Sequence, residues 1–192
     1  MKRHAISALT WIGLGFWIIL AGFRLLDAWD STHIVPALLA AQSGLIAWLL
    51  LSRRNHITEE CLWKKLTAWF SALLPLAMKI DGVTFAGQAI TSLGLLIVLW
   101  ALRTLGNSFG IAPADRGLVK EGPYRFIRHP MYLGELIALS GAVIGDPSIW
   151  NVILIHVLLL ALLVRIRWEE QALFNYGTYA GRVRWRLIPH IF

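Results

Sequence analysis

Ile149-Trp150-Asn151-Val152-Ile153-Leu154-Ile155-His156-Val157-Leu158-Leu159-Leu160-Ala161-Leu162-Leu163-Val164 is a run of sixteen residues without a formal charge, and its reading decides the fold. It passes directly into Arg165-Ile166-Arg167-Trp168-Glu169-Glu170. A helix rising 1.5 Å per residue needs about 20 apolar residues to cross a ~30 Å hydrocarbon core, so this stretch reads as a transmembrane helix ending in a charged collar. Only helices or closed barrels satisfy the backbone polar groups inside lipid, and strand-like alternation is missing. Working back towards residue 1, five more apolar segments appear, at about 131–145, 86–105, 62–80, 34–51 and 5–26. The segment at 131–145 is short, and the one at 62–80 holds only 13 residues between Lys65 and Lys79. Gly145-Asp146-Pro147-Ser148 breaks the chain before the last segment, which makes the final two a helical hairpin. The expectation is an all-α, polytopic transmembrane bundle of about six segments. It forms one integral membrane domain over 1–192, with N-terminal helices in 1–105 and the chemistry in 106–192.

Composition agrees. Of 192 residues, 57% are hydrophobic and 15% charged, against about 25% charged in a soluble domain. A net charge of +7 would suggest nucleic acid in a soluble chain, but these basic residues flank apolar runs, so membrane lipids are the expected partner and nucleic acid is not. Cys61 is the only cysteine, which excludes an intramolecular disulfide and a multi-cysteine zinc site. The first apolar run reaches Leu26 without a small-residue cleavage site and reads as a retained helix rather than a signal peptide.

Orientation follows from Lys and Arg in the short loops. With a cytoplasmic N-terminus and six crossings, the inner side holds sixteen of the 18 basic residues, from Lys2 and Arg3 to Arg182, Arg184 and Arg186. Arg24 and Lys79 remain outside, beside Asp27, Asp30, Asp81 and Asp146. Trp29 and Trp150 then mark the outer interface, and Trp63 and Trp168 the inner one. Both termini and both long polar stretches, 106–130 and 169–192, are expected in the cytoplasm, with the cell membrane of a prokaryote as the location.

Two stretches carry candidate chemistry. In Arg116-Gly117-Leu118-Val119-Lys120-Glu121-Gly122-Pro123-Tyr124-Arg125-Phe126-Ile127-Arg128-His129-Pro130-Met131-Tyr132-Leu133-Gly134, Gly122-Pro123 makes a turn and Pro130 suits the first position of a helix. His129 then stands at the mouth of the fifth helix, where free N–H groups and the helix dipole favour an anionic group. In the second stretch, Arg165 and Glu169 are four apart and share a helix face. The acidic pair Glu169-Glu170 at a helix C-terminus opposes the dipole, so a cation must compensate it, from local arginines or a ligand. The competing readings are a lipid-anchoring basic loop and an interfacial ion pair. Glu135, one turn into the fifth helix, is either a partner for a neighbouring helix or functional. His156 reads as a hydrogen-bonded packing residue. His4, His33, His56 and His190 are interfacial, and no pair has metal-ligand spacing.

The pattern Leu118-Val119-x-x-Gly122-Pro123-Tyr124-x-x-x-Arg128-His129-Pro130-x-Tyr132, followed by Arg165-x-x-x-Glu169-Glu170, resembles the isoprenylcysteine carboxyl methyltransferase family, related to the phospholipid methyltransferases. The resemblance is specific over about 116–189 and one of hydropathy before that. It implies methyl transfer from S-adenosylmethionine within the membrane, without a Rossmann domain. No Gly-x-Gly-x-x-Gly follows a strand here. By resemblance, Arg116, Gly117, Leu118, Val119 and Tyr124 line the cofactor in a cytoplasmic pocket, and His129, Pro130, Met131 and Tyr132 close around it. Glu169 holds the cofactor, Arg165 meets the acceptor's carboxylate, and Arg165, Glu169 and Glu170 are the candidate catalytic residues, with no metal. Arg116 stands where several family members have His.

The implied function is methylation of a lipophilic acceptor that enters from the bilayer, in first place the carboxylate of a prenylated cysteine. Phospholipid N-methylation and thiol S-methylation are the enzymatic alternatives, with Glu170 or Glu135 as the base for an amine. A non-enzymatic membrane subunit or transporter is the alternative of another class.

Overall fold

The computed structural model describes residues 8–53, 61–78, 84–189 and 191. Lys2, Arg3, His4, Arg54, His56, Lys79, Asp81 and His190 lie outside them. The described residues form seven α-helices in chain order: α1 (Ala8–Asp30), α2 (Ile34–Ser52), α3 (Leu62–Leu73), α4 (Phe85–Leu105), α5 (Pro130–Gly145), α6 (Ile149–Ala172) and α7 (Tyr176–Arg182). There is no strand among the described residues.

Among the described residues four segments are long and apolar enough to cross a membrane: Trp11–Asp30, Ile34–Ser52, Phe85–Ser108 and Ile149–Ala172. Of the remaining two apolar segments, the one at 131–145 is the short helix the hydropathy suggests, and the one at 62–80 gives a shorter helix than expected. Pro75 has no N–H for the helical ladder and clashes with the preceding turn, so α3 stops at Leu73 and tightens into a 3-10 turn at Leu74–Ala77. Helix and turn together still span about 26 Å at 1.5 and 2.0 Å per residue. Trp150 Nε1 donates to Ala77 O (2.9 Å), so the turn ends level with the start of α6. α5, with 16 residues, spans about 24 Å. Its C-terminus meets the break at 146–148, and Ser148 caps α6 by accepting from Asn151 N. The last two segments therefore form the hairpin read from the sequence.

The helices make a ring. α1 packs on α2, α2 on α4, α4 on α5, α5 on α6, and α6 on α3. α3 returns to α1 where the Trp69 ring lies against Gly13. The closest seam joins α4 to α5, with Gly87, Thr91 and Gly94 facing Gly134, Ala138 and Gly141. A Cβ at Gly94 would lie 2.3 Å from Ala138 N, so only a residue without a side chain permits this approach. Large apolar side chains cover the outside, among them Ile12, Ile19, Phe23, Trp48, Leu93, Leu96 and Leu160, all at least half exposed. Such a surface is stable against lipid and not against water. His156 bonds Val152 O (2.7 Å) but lies on this outer face, so the packing role read from the sequence does not hold. A helix-middle histidine can satisfy itself on its own preceding turn, and sequence does not tell which face it occupies.

Two buried clusters fill the ring. One joins Leu14, Trp17, Ile46, Leu50, Val98 and Leu102 to Phe109 and Ile111. The other joins Tyr132, Leu139, Leu158, Leu162 and Ile166 to Leu187 of the C-terminal segment.

Candidate active site

Everything singled out by motif converges at the end of the ring where α5 begins and α6 finishes. After α4, a 3-10 turn at Gly106–Ser108 leads into a stretch without regular structure that runs to Glu121. Gly122, at φ +54°, opens the 3-10 turn Gly122–Arg125, a backbone state costly for other residues. Pro130 is the first residue of α5 and His129 its cap position, as the sequence implied. The C-terminal segment is strapped on from behind: Arg128 N donates to Trp185 O and His129 N to Arg186 O, both at 2.9 Å. The Arg128 guanidinium adds bonds to Val183 O (2.7 Å) and Ala180 O (3.0 Å). The buried Tyr179 hydroxyl donates to Tyr124 O (2.6 Å).

Inside this strap lies a cavity of about 110 Å³. Its walls include Arg116, Gly117, Leu118, Val119, Tyr124, His129, Met131, Tyr132 and Glu169, nine of the expected site residues. Pro130 is not on the wall; it is fully buried as the foot of α5. Arg116 is buried, and its Nη1 donates to Ala112 O (3.1 Å). Sequence reasoning did not pick out Ser108–Ala114, Arg128, Leu173, Tyr176 or Tyr179 as site residues, yet parts of all these line the cavity. Residues 108–114 carry neither charge nor motif. The Tyr176/Tyr179 pair, three apart among arginines, was the available signal.

The two glutamates of α6 have different surroundings. Glu169 is on the cavity wall, bonded by the Tyr132 hydroxyl, with His129 Nδ1 at 3.7 Å and Arg165 Nη2 at 3.6 Å. Glu170 points into the strap. Arg186 grips both its oxygens (Nε at 3.0 and 3.2 Å, Nη2 at 2.9 Å), Tyr176 donates at 2.7 Å, and His129 Nε2 lies at 3.4 Å. Such a fork is the strong form of ion pair. The bond to Glu170 holds the Arg186 guanidinium above its usual pKa, and burial with the same carboxylate pushes the Tyr176 hydroxyl up. His129 thus stands between two carboxylates, which supply the negative charge expected at the mouth of α5.

Arg165 faces elsewhere. It is buried, with its guanidinium 5.0 Å from the Tyr132 ring centre. Nη1 donates to Ser71 Oγ (2.9 Å) and Nη2 to Ile111 O (2.8 Å), while Nε has no hydrogen-bond partner among the described residues. It lines a second, mainly apolar cavity of about 290 Å³ inside the ring, with Leu95, Val98, Leu102, Glu135 and Leu139. Phe109 and Met131 belong to the walls of both cavities and separate them. One turn of α6 therefore places Glu169 on the polar cavity and Arg165 on the apolar one. Among the described residues no group of acids, histidines and cysteine could hold a metal ion.

No curated protein matches the chain. The family model described as phospholipid methyltransferase matches residues 83–178, from just before α4 through α7's first turn, and so takes in both cavities' shared wall and the Arg165–Glu169 turn. The chain belongs to the phospholipid methyltransferase family, which includes the isoprenylcysteine carboxyl methyltransferases, and is a membrane methyltransferase.

Proposed function

We propose that the protein transfers a methyl group from S-adenosylmethionine to the carboxylate of a lipophilic acceptor, a prenylated cysteine or a compound like it, at the cytoplasmic face of the membrane. The residues lining the cavity inside the strap suit the methyl donor by their chemistry: Glu169 offers a carboxylate to an ammonium, and Leu118, Val119 and Tyr124 offer apolar and aromatic surface to a purine. Held there against Glu169 and Tyr124, S-adenosylmethionine would supply an activated methyl group to a carboxylate oxygen, the sulfur keeping the electron pair of the broken C–S bond. A carboxylate nucleophile loses no proton, so no general base is required, and alignment is the main contribution left to the protein. Glu170, engaged by Arg128, His129, Tyr176 and Arg186, acts in this reading by positioning His129 and the strap.

The observation that carries the choice of a carboxylate is Arg165. A guanidinium has five N–H donors. Two are spent on Ser71 and Ile111, Nε–H is buried without a hydrogen-bond partner among the described residues, and the side chain lines the apolar cavity, so the fork that matches a carboxylate is not fully used by the protein. A protonated amine would be repelled there. The apolar cavity lies within the ring and takes the tail, so donor and acceptor enter separately and meet at the Phe109–Met131 partition.

The test uses purified protein with methyl-labelled S-adenosylmethionine and three acceptors: a prenylated cysteine, phosphatidylethanolamine and an alkyl thiol. A methyl ester releases its label as methanol in alkali, whereas N- and S-methyl products do not. Alkali-labile product on the first acceptor is expected, with turnover falling steeply in Arg165→Lys while S-adenosylhomocysteine affinity is kept. Alkali-stable product on either of the others, with none on the carboxylate, overturns the acceptor. Absence of S-adenosylhomocysteine binding to the wild type overturns the enzymatic reading in favour of a non-enzymatic subunit.

A further inference from the structure

Among the described residues, Glu135 is the one carboxylate on the wall of the apolar cavity. Among the described residues it makes no hydrogen bond and no ion pair; Arg165 acts on it electrostatically across the cavity without closing to contact. Glu169 and Glu170, the other acids of this region, are both held by several partners. An ionised carboxylate in a membrane interior is costly unless it is paired, and acidic residues that face a bundle interior commonly mark a substrate path.

We propose that Glu135 binds the ammonium of an amino-acid head whose carboxylate lies on Arg165, so that the acceptor is a lipophilic amino acid with a free amine. The proposal rests on the carboxyl-methylation reading above and specifies its substrate. Arg165, Glu135 and the tail-binding surface of Leu95, Val98 and Leu139 share one cavity, which is the arrangement a zwitterionic head with an apolar tail requires. The other cation of the cavity does not serve Glu135: Arg24 is turned to Leu39 O (3.2 Å) and Ser43 Oγ (2.6 Å), and the acid acting on it is Asp27.

The experiment compares kcat/KM of wild type and Glu135→Gln on three acceptors with one tail: S-farnesylcysteine, its N-acetyl derivative, and 3-(farnesylthio)propionate, which lacks the amine. A site built to pair a group discriminates strongly against analogues without it. Wild type is expected to favour the free amine by at least about tenfold over both others, and Glu135→Gln to bring the three within about threefold. S-adenosylhomocysteine affinity should be unchanged in the variant. Equal use of the three acceptors by wild type overturns the proposal and leaves carboxyl methylation standing, and this ratio decides even where Glu135→Gln fails to fold. A folded variant that keeps the wild-type preference overturns it as well. Methyl found on the amine nitrogen, or on none of the three, overturns both readings together.

Discussion

Replacing Gly94 by alanine tests the argument that a glycine seam, and not the motif residues alone, sets the geometry of the site. A methyl at this position would lie 2.3 Å from Ala138 N, 2.6 Å from Gly134 O and 2.7 Å from Ala138 Cα, where ordinary contact begins at 3.4 Å. All three are backbone atoms, so no side chain can swing aside and α5 must withdraw by about 1 Å. Overpacking of this kind costs about 1–3 kcal/mol. Alanine's better helix propensity returns up to about 1 kcal/mol, leaving a net loss near 1 kcal/mol. The functional consequence is larger, because α5 carries Met131 and Tyr132 on the polar cavity and Glu135 on the apolar one. A misplacement of about 1 Å can cost on the order of 100-fold in rate. The measurements are detergent melting temperature, S-adenosylhomocysteine affinity and methyl transfer, each against Gly44→Ala. That site on α2 has nothing within 4 Å and isolates the propensity gain. Gly94→Ala should melt lower than Gly44→Ala and turn over at least about tenfold more slowly. Wild-type melting and turnover in Gly94→Ala would refute the reasoning.

Glu170→Gln removes the charge from the fork with Arg186, a loss of about 1 kcal/mol after screening of the partly open arginine. Hydrogen exchange should rise over 176–189, with weaker S-adenosylhomocysteine binding because His129 N rests on Arg186 O; exchange unchanged in that segment would show that Glu170 does not hold the strap. Burial pushes the Tyr179 hydroxyl up to about 12, above the ~10 of an unfolded tyrosine. Its contribution is complete below about pH 10 and is lost as pH rises towards 12, so melting temperature should fall across that window, and less steeply in Tyr179→Phe. Equal slopes would place the alkaline transition elsewhere, for example on Tyr124, which burial also raises. For orientation, single cysteines at 30 and 184, introduced after Cys61 is replaced, should differ towards an impermeant thiol reagent in intact cells. Label on 30 alone is the expected result, and label on 184 alone would reverse the proposed topology.

What the sequence determined by itself was whatever depends on short-range pattern. Apolar runs such as 149–164 exceed the length a soluble helix needs to bury, and that is enough to specify a membrane helix. Pro130 and the break at 145–148 act through their own backbones, so the start of α5 and the hairpin were legible. The His129-Pro130-x-Tyr132 pattern and the Arg165–Glu169 spacing lie within one turn each, and their residues do meet around one end of the ring. Pro75 carried a readable stop as well, but the hydropathy of 62–80 masked it.

Only the tertiary structure decided the rest, because it depends on which surfaces meet. Gly94 and Gly134 look like weak helix residues until α4 and α5 are placed against each other. Glu169 and Glu170 are neighbours of identical chemistry, yet the 100° step between successive helix residues turns one to a cavity and the other into the C-terminal strap. The division into a polar and an apolar cavity, with Phe109 and Met131 between them, arises from residues more than twenty positions apart. So does the position of Arg165, held by Ser71 from α3 and Ile111 from a loop without regular structure. Chain closure of this kind is set by packing among six helices, and no local pattern encodes it.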